Sequence, residues 1–156
     1  MTCNHATTEC QELKFGPRFM YSIEMEIAEA LQEAFRAALV LTGSIENAEC
    51  TLMDAIATIG PDGSREALLL ETARAALTCK ALPDKSSPPV PPELQALFLL
   101  SPRCRYSFVL LVLMRLDLKS CSEILRMPAN EVKEALCQSL QDLHKVQSAM
   151  PPGRIN

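Results

Sequence analysis

Tryptophan is absent from the 156 residues, and there are only two tyrosines and five phenylalanines. A core without large aromatic side chains has to be built from Leu, Ala, Ile, Val and Met, a vocabulary that suits helices better than strands. Seven cysteines stand at positions 3, 10, 50, 79, 104, 121 and 137, and no two of them form a C-x-x-C pair. An odd, scattered set excludes a secreted disulfide framework, and four-ligand metal spacing is missing. Cys3, His5 and Cys10 fall short of a metal site and read as part of an untethered lead-in. The five cysteines inside helical patterns read as small hydrophobes, with Cys137 expected to be the most open of them. No apolar stretch exceeds Phe108–Met114, far short of the roughly 20 residues a membrane helix needs. No apolar leader follows Met1. These features predict a cytoplasmic protein that meets no membrane. Phosphate-cradling glycine loops and nucleophile elbows are also missing, and His5 and His144 have no catalytic companions. The chain is therefore read as a non-enzyme without a cofactor.

A strong excess of positive charge is lacking too. Net charge is −4. Residues 1–92 hold seven Lys/Arg against thirteen Asp/Glu, a balance of −6, and residues 93–156 hold eight against six, a balance of +2. Of the two halves, only the second is suited to meet nucleic acid, and its excess is small for a dedicated binder.

What is present is helical periodicity. Ile23, Ile27, Leu31, Ala34, Ala38 and Leu41 recur at spacings of three and four, which predicts a helix over Ser22–Leu41 with glutamates on the other side. Gly43 can end it at positive φ, and Ser44 can cap a second helix over Glu46–Ile59. Gly60-Pro61-Asp62-Gly63 signals a turn. A third helix is predicted over Ser64–Leu82, with Leu69, Leu70, Ala73, Leu77 and Lys80 along one side. Five prolines between positions 83 and 92 forbid a helix and favour a semi-rigid spacer. Beyond it come a short helix over Glu93–Leu100 and a helix opened by Ser101-Pro102 and running to about Leu116. A short helix Leu118–Leu125 capped by Asp117 follows. After a break at Arg126-Met127-Pro128 comes a last helix, Ala129–Val146, with the stripe Val132, Leu136, Leu140, Leu143. The expected organisation is all-α. A flexible segment (1–21) leads into a first helical module (22–82), a Pro-rich linker (83–92), a second module (93–147) and a flexible tail (148–156). A short helix, a tight break and a longer amphipathic helix make the second module a helix-turn-helix.

The stretch Leu100-Ser101-Pro102-Arg103-Cys104-Arg105 through Leu136 resembles region four of the extracytoplasmic-function sigma factors, in the sigma-70 family. That family has a Leu-Pro-Pro-Arg-x-Arg-like opening, a Leu-Ser-Tyr-x-Glu-Ile-Ala-x-Ile-Leu-Gly-like helix and a Val-Lys-Ser-Arg-Leu-like recognition helix. Here Leu116–Arg126 and Val132-Lys133-Glu134-Ala135-Leu136 occupy the last two without a gap. Ala34-Phe35-Arg36 through Leu41-Thr42-Gly43, followed by Asn47-Ala48-Glu49, resembles the start of region two. The resemblance spans most of residues 22–146. It implies a transcription initiation protein whose partners are core RNA polymerase, duplex promoter DNA and an anti-sigma-like protein. It places nucleic-acid contacts at Lys133, Arg126, Lys119, Asn130 and Arg103, and polymerase contacts at Glu49 and Asp54.

The departures fall where the family touches DNA. Ala135 stands where an Arg is expected, Glu131 replaces a Thr, and Glu134 adds a carboxylate that phosphates repel. Arg126 replaces the turn Gly, which removes the easy route to positive φ, and Pro128 replaces the capping Ser. Leu68 and Leu70 stand where the family has promoter-melting Trp and Tyr, so flipped bases lose a stacking surface worth about 1–3 kcal/mol each. Two readings follow: a sigma-like factor that binds DNA weakly, or a degenerate sigma-like module that binds only protein.

Overall fold

The computed structural model describes residues 17–61, 63–79 and 90–149. The N-terminal lead-in to position 16, Asp62, Lys80, most of the Pro-rich linker and the tail from position 150 lie outside the described residues. Among the described residues the protein is all-α, without a strand.

Alanine decides how the first three helices meet. Helix α1 (Pro17–Thr42) turns Ala30, Ala34, Ala37 and Ala38 inward, α2 (Ile45–Ile59) turns in Ala48 and Ala55, and α3 (Arg65–Thr78) turns in Ala73 and Ala76. Small side chains bring the backbones close, and Val40, Leu41, Leu68 and Leu69 fill the space between. All three helices touch one another. The caps at Gly43 and Ser44 are those the sequence suggests, whereas Ser64, expected as the first residue of the third helix, caps it instead. Gly43 has φ +72°, the Asn47 N–H donates to Ser44 Oγ, and the Ala67 N–H donates to Ser64 Oγ at 3.1 Å.

Two boundaries differ from expectation. Helix α1 begins at Pro17, five residues earlier than the apolar pattern suggests. Proline at a first helical position loses no bond, because that N–H has no intrahelical partner anyway. Helix α3 ends at Thr78, and its buried residues are Leu68, Leu69, Thr72, Ala73 and Ala76. The inward face is thus rotated from the predicted stripe: Leu70 is only half-buried and Leu68 lies inside.

The second half starts with α4 (Pro92–Gln95), which runs into a 3₁₀ turn, Ala96–Leu99. Helix α5 (Pro102–Phe108) is capped by Ser101, whose Oγ accepts from the Cys104 N–H at 3.4 Å. It widens into a π turn, Val109–Leu113, marked by the Met114 N–H donating to the Val109 carbonyl at 2.9 Å. Arg115, at φ +52°, closes it, with the Leu116 N–H reaching the Leu110 carbonyl at 3.0 Å. The helix predicted to continue to about Leu116 therefore stops two to three residues early. Helices α6 (Leu118–Leu125) and α7 (Ala129–Ala149) complete the chain, both packed on α5.

The halves are not separate cores. One apolar cluster runs from Ala34, Leu69 and Ala73 through Leu97, Leu110 and Met114 to Cys121 and Val132. The π turn lies on α1, and α3 touches α6. A second, smaller cluster joins Ala38, Leu39 and Ala48 to Val90, with Phe98 packed against it.

Candidate nucleic-acid and protein interfaces

Helix α6 is anchored before its first turn. Asp117 accepts from the Ser120 N–H at 2.9 Å and from the Ser120 hydroxyl at 2.6 Å. The Ser120 side chain first, and its backbone N–H second, hold the Asp117 carboxyl below the usual carboxylate range. Cys121 faces inward and is fully buried, with its sulfur 3.9 Å from the Leu116 carbonyl. Burial first, and the charge of Asp117 second, push this thiol up to about 11.

The turn keeps the geometry that a glycine would have supplied. Arg126 adopts φ +53°, its N–H donating to the carbonyls of Glu123 and Ser122, and the Met127 N–H reaches back to the Ser122 carbonyl at 3.1 Å. The Ser122 hydroxyl donates to the Met127 carbonyl, tightening the same loop. The left-handed turn therefore forms without a glycine, at the expense of strain around the Arg126 Cβ. Replacing Arg126 or Arg115 by Gly should stabilise the fold by about 1 kcal/mol each, since both side chains are exposed and only the strained backbone changes. Thermal unfolding should show a rise of about 2–4 °C per substitution; a fall of that size would show that the arginine side chains themselves hold the turns.

Helix α7 presents Asn130, Lys133, Glu134, Cys137 and Gln138 to solvent, and its inward residues are Val132, Ala135 and Ser139. The Ser139 hydroxyl donates to the Ala135 carbonyl at 2.6 Å and lies 3.3 Å from the Cys104 carbonyl of α5. Lys119 on α6 and Arg126 in the turn are also exposed. Arg103 is not a free cation: it pairs with Glu131, which bridges α5 to the first turn of α7. Three proposed nucleic-acid residues, Arg126, Asn130 and Lys133, thus cluster in sequence around the turn and the start of α7, with Lys119 on the preceding helix. Arg103 is drawn to the same end but neutralised.

Two further features bear on the candidate nucleic-acid surface. Ala135 is only 6% exposed, so an arginine introduced there would enter the core. Leu68, at the position that the resemblance matches to a base-stacking aromatic, lies on the inward face of α3 and is buried.

Glu49 and Asp54 lie exposed on α2, in the other half. Beside them Cys50, Met53 and Ala57 form an exposed seam, with Met53 65% accessible. The spacing of 50, 53 and 57 signals this seam, but it lies outside the stripe of Ala48, Leu52, Ala55 and Ile56. The cysteines also divide differently from expectation. Cys104 and Cys121 are buried, whereas Cys50, Cys79 and Cys137 are all exposed, because the first two lie on an outer face and at a helix end. Among the described residues no three His, Cys, Asp or Glu gather for a metal, and no helix is long and apolar enough to cross a membrane.

The fold and its surfaces define an all-α protein whose second half ends in a short helix, a left-handed turn and a longer helix. No family model matches the sequence, and no curated protein matches it. Among solved structures, the sigma factor RpoE of Bartonella quintana, determined in complex with the anti-sigma factor NepR, superposes with a TM-score of 0.56. The match covers 83% of this chain and 99% of that one at 14% identity. The chain thus has a sigma-factor-like fold.

Proposed function

We propose that this protein is a sigma-like transcription factor that binds core RNA polymerase through the outer face of α2 and meets promoter DNA weakly through α6 and α7. The observation that carries the reading is the likeness in fold to a sigma factor over 83% of this chain. Glu49 and Asp54 supply carboxylates for a basic polymerase surface, and Met53 supplies an apolar centre between them. An anti-sigma-like protein, such as the one that accompanies the structural neighbour, is a further partner under this proposal. Lys133, Asn130, Lys119 and Arg126 would touch the phosphate backbone, whereas Arg103 is held by Glu131 until that pair opens.

One observation favours the alternative, a sigma-like module that binds protein alone. The Arg103–Glu131 pair, the exposed Glu134 and the buried Ala135 leave the start of α7 with little net cation, and affinity for duplex follows the number of phosphates neutralised.

Two measurements separate these readings. Core RNA polymerase should co-purify with the protein, and Glu49→Lys with Asp54→Lys should reduce recovery about tenfold. No recovery by the unmodified protein would refute polymerase binding. Duplex binding, followed by fluorescence anisotropy at two salt concentrations, should be weak and salt-sensitive. Glu131→Thr should tighten it and steepen the slope by about one unit, because it frees Arg103 and removes a carboxylate. No binding by either form would leave the protein-only module standing.

A further inference from the structure

A groove of about 520 Å³ opens between the first half of α1, the end of α2 and the start of α3. It lies on neither of the two surfaces described above. Its floor is apolar: Ile27 is 55% exposed, Ile56 and Ile59 are half-buried, and Leu68 closes the bottom. Its rim on α1 is acidic. Glu26, Glu29 and Glu33 follow one another over two turns, about 10 Å of helix. Arg65 across the groove pairs with Glu33. Glu26 and Glu29 have no ion-pair partner among the described residues.

The geometry points to this groove as the docking site of a cationic amphipathic helix from a partner protein. An apolar trough about two turns long receives residues spaced i, i+3 or i+4, and i+7 along one helix face. Carboxylates along one edge select a helix whose apolar stripe is flanked by Lys or Arg, and they set its register and raise its rate of encounter. The same carboxylates argue against other occupants. Nucleic acid and anionic lipid would be repelled. Among the described residues a second copy offers no suitable helix: the exposed faces of α1 and α2 are acidic. In α7 the cations Lys133 and Lys145 are outnumbered by Glu131, Glu134 and Asp142, and Lys145 is already paired with Asp142. The inference does not depend on polymerase or DNA binding.

The test uses a fluorescein-labelled synthetic peptide of about four helical turns with Leu on one face and Lys beside it, and a control with Glu in place of Lys. Fluorescence anisotropy with the full chain should show the Leu/Lys peptide binding at least tenfold more tightly than the Leu/Glu peptide. Ile27→Ser and the double change Glu26→Gln with Glu29→Gln should each weaken the Leu/Lys peptide at least fivefold. These side chains are exposed, so the melting temperature should hold and an altered fold cannot explain the loss. In methyl NMR spectra the peptide should shift Ile27, Ile56 and Ile59. Equal binding by Ile27→Ser, equal binding of both peptides, or shifts confined to Met53 or α7 would overturn the assignment, as would a concentration-dependent dimer abolished by Ile27→Ser. Polymerase recovery by Ile27→Ser should match the unmodified protein, which keeps this test separate from that of the α2 face.

Discussion

Truncating Leu110 to alanine should lower stability by about 3–5 kcal/mol and do so for both halves at once. Leu110 is fully buried in the cluster that joins α1 and α3 to α5, α6 and α7. Removing its side chain loses the transfer energy of the buried atoms and leaves a cavity between elements from either side. Against a total of about 5–15 kcal/mol for a typical protein, that is a large share. The chain has no tryptophan to report unfolding, so dyes on Cys79 in the first half and Cys137 in the second, both exposed, would serve as local probes. Urea midpoints from the two dyes and from circular dichroism should coincide and move together in Leu110→Ala. Leu69→Ala, on the other side of the junction, should behave the same way. Two modules with independent cores would give a shift at Cys137 and none at Cys79. Under the proposed division at residues 83–92, cleavage there should yield two helical fragments that stay associated until denaturant is added.

The elements that carried their own start and stop residues were legible. Gly43, Ser44, Ser101 and Asp117 each do in the structure what their chemistry suggests, so α2, α5 and α6 begin within a residue or two of the expected positions. Periodicity failed where the sequence is apolar all round. In Ala67-Leu68-Leu69-Leu70 with Ala73, Ala75 and Ala76, several faces are equally greasy, and packing against α1 and α2 chose the one containing Leu68. Phe108–Met114 gives no face at all, which is why a π turn followed by a left-handed Arg115 could not be foreseen.

For the proposed nucleic-acid contacts, exposure was legible in residue type and arrangement less so. Lys119, Arg126, Asn130 and Lys133 are exposed, as solvated polar side chains on helix outer faces should be. The Arg103–Glu131 pair joins residues 28 positions apart, and nothing local announces it. Ala135 could have been placed inward, since it lies three residues after Val132 and four before Ser139, on one face of α7. The left-handed Arg126 shows the limit of a residue-by-residue reading: the Ser122 and Glu123 carbonyls hold the turn in a conformation that the side chain alone disfavours.

Raising the pH from 8 to 11 should remove up to about 3 kcal/mol of stability through Cys121 alone. In the folded protein the thiol is fully enclosed, and burial, aided by the negative charge of Asp117, lifts it from 9.0 to about 11. The unfolded chain releases the same proton near its ordinary value. Below pH 9 both states keep the proton, and the contribution is fully present. Between 9 and 11 the unfolded state ionises while the folded state resists, so stability falls by about 1.4 kcal/mol per pH unit. Above 11 both are ionised, and this group adds no further slope. Other groups titrate in the same window, so the informative quantity is the difference between the unmodified protein and Cys121→Ala under reducing conditions. At pH 8 the variant should be less stable by about 1–2 kcal/mol, the loss expected when a small buried side chain is trimmed. The two stability curves should then approach each other as the pH rises and cross at about pH 10, because the variant has no thiol to ionise. Parallel curves from pH 8 to 11 would mean that the thiol ionises equally easily in both states, and hence that α6 does not seal Cys121 from water. Asp117→Asn should keep a capping side chain while removing the charge, and the decline should then begin to level off at a lower pH than in the unmodified protein.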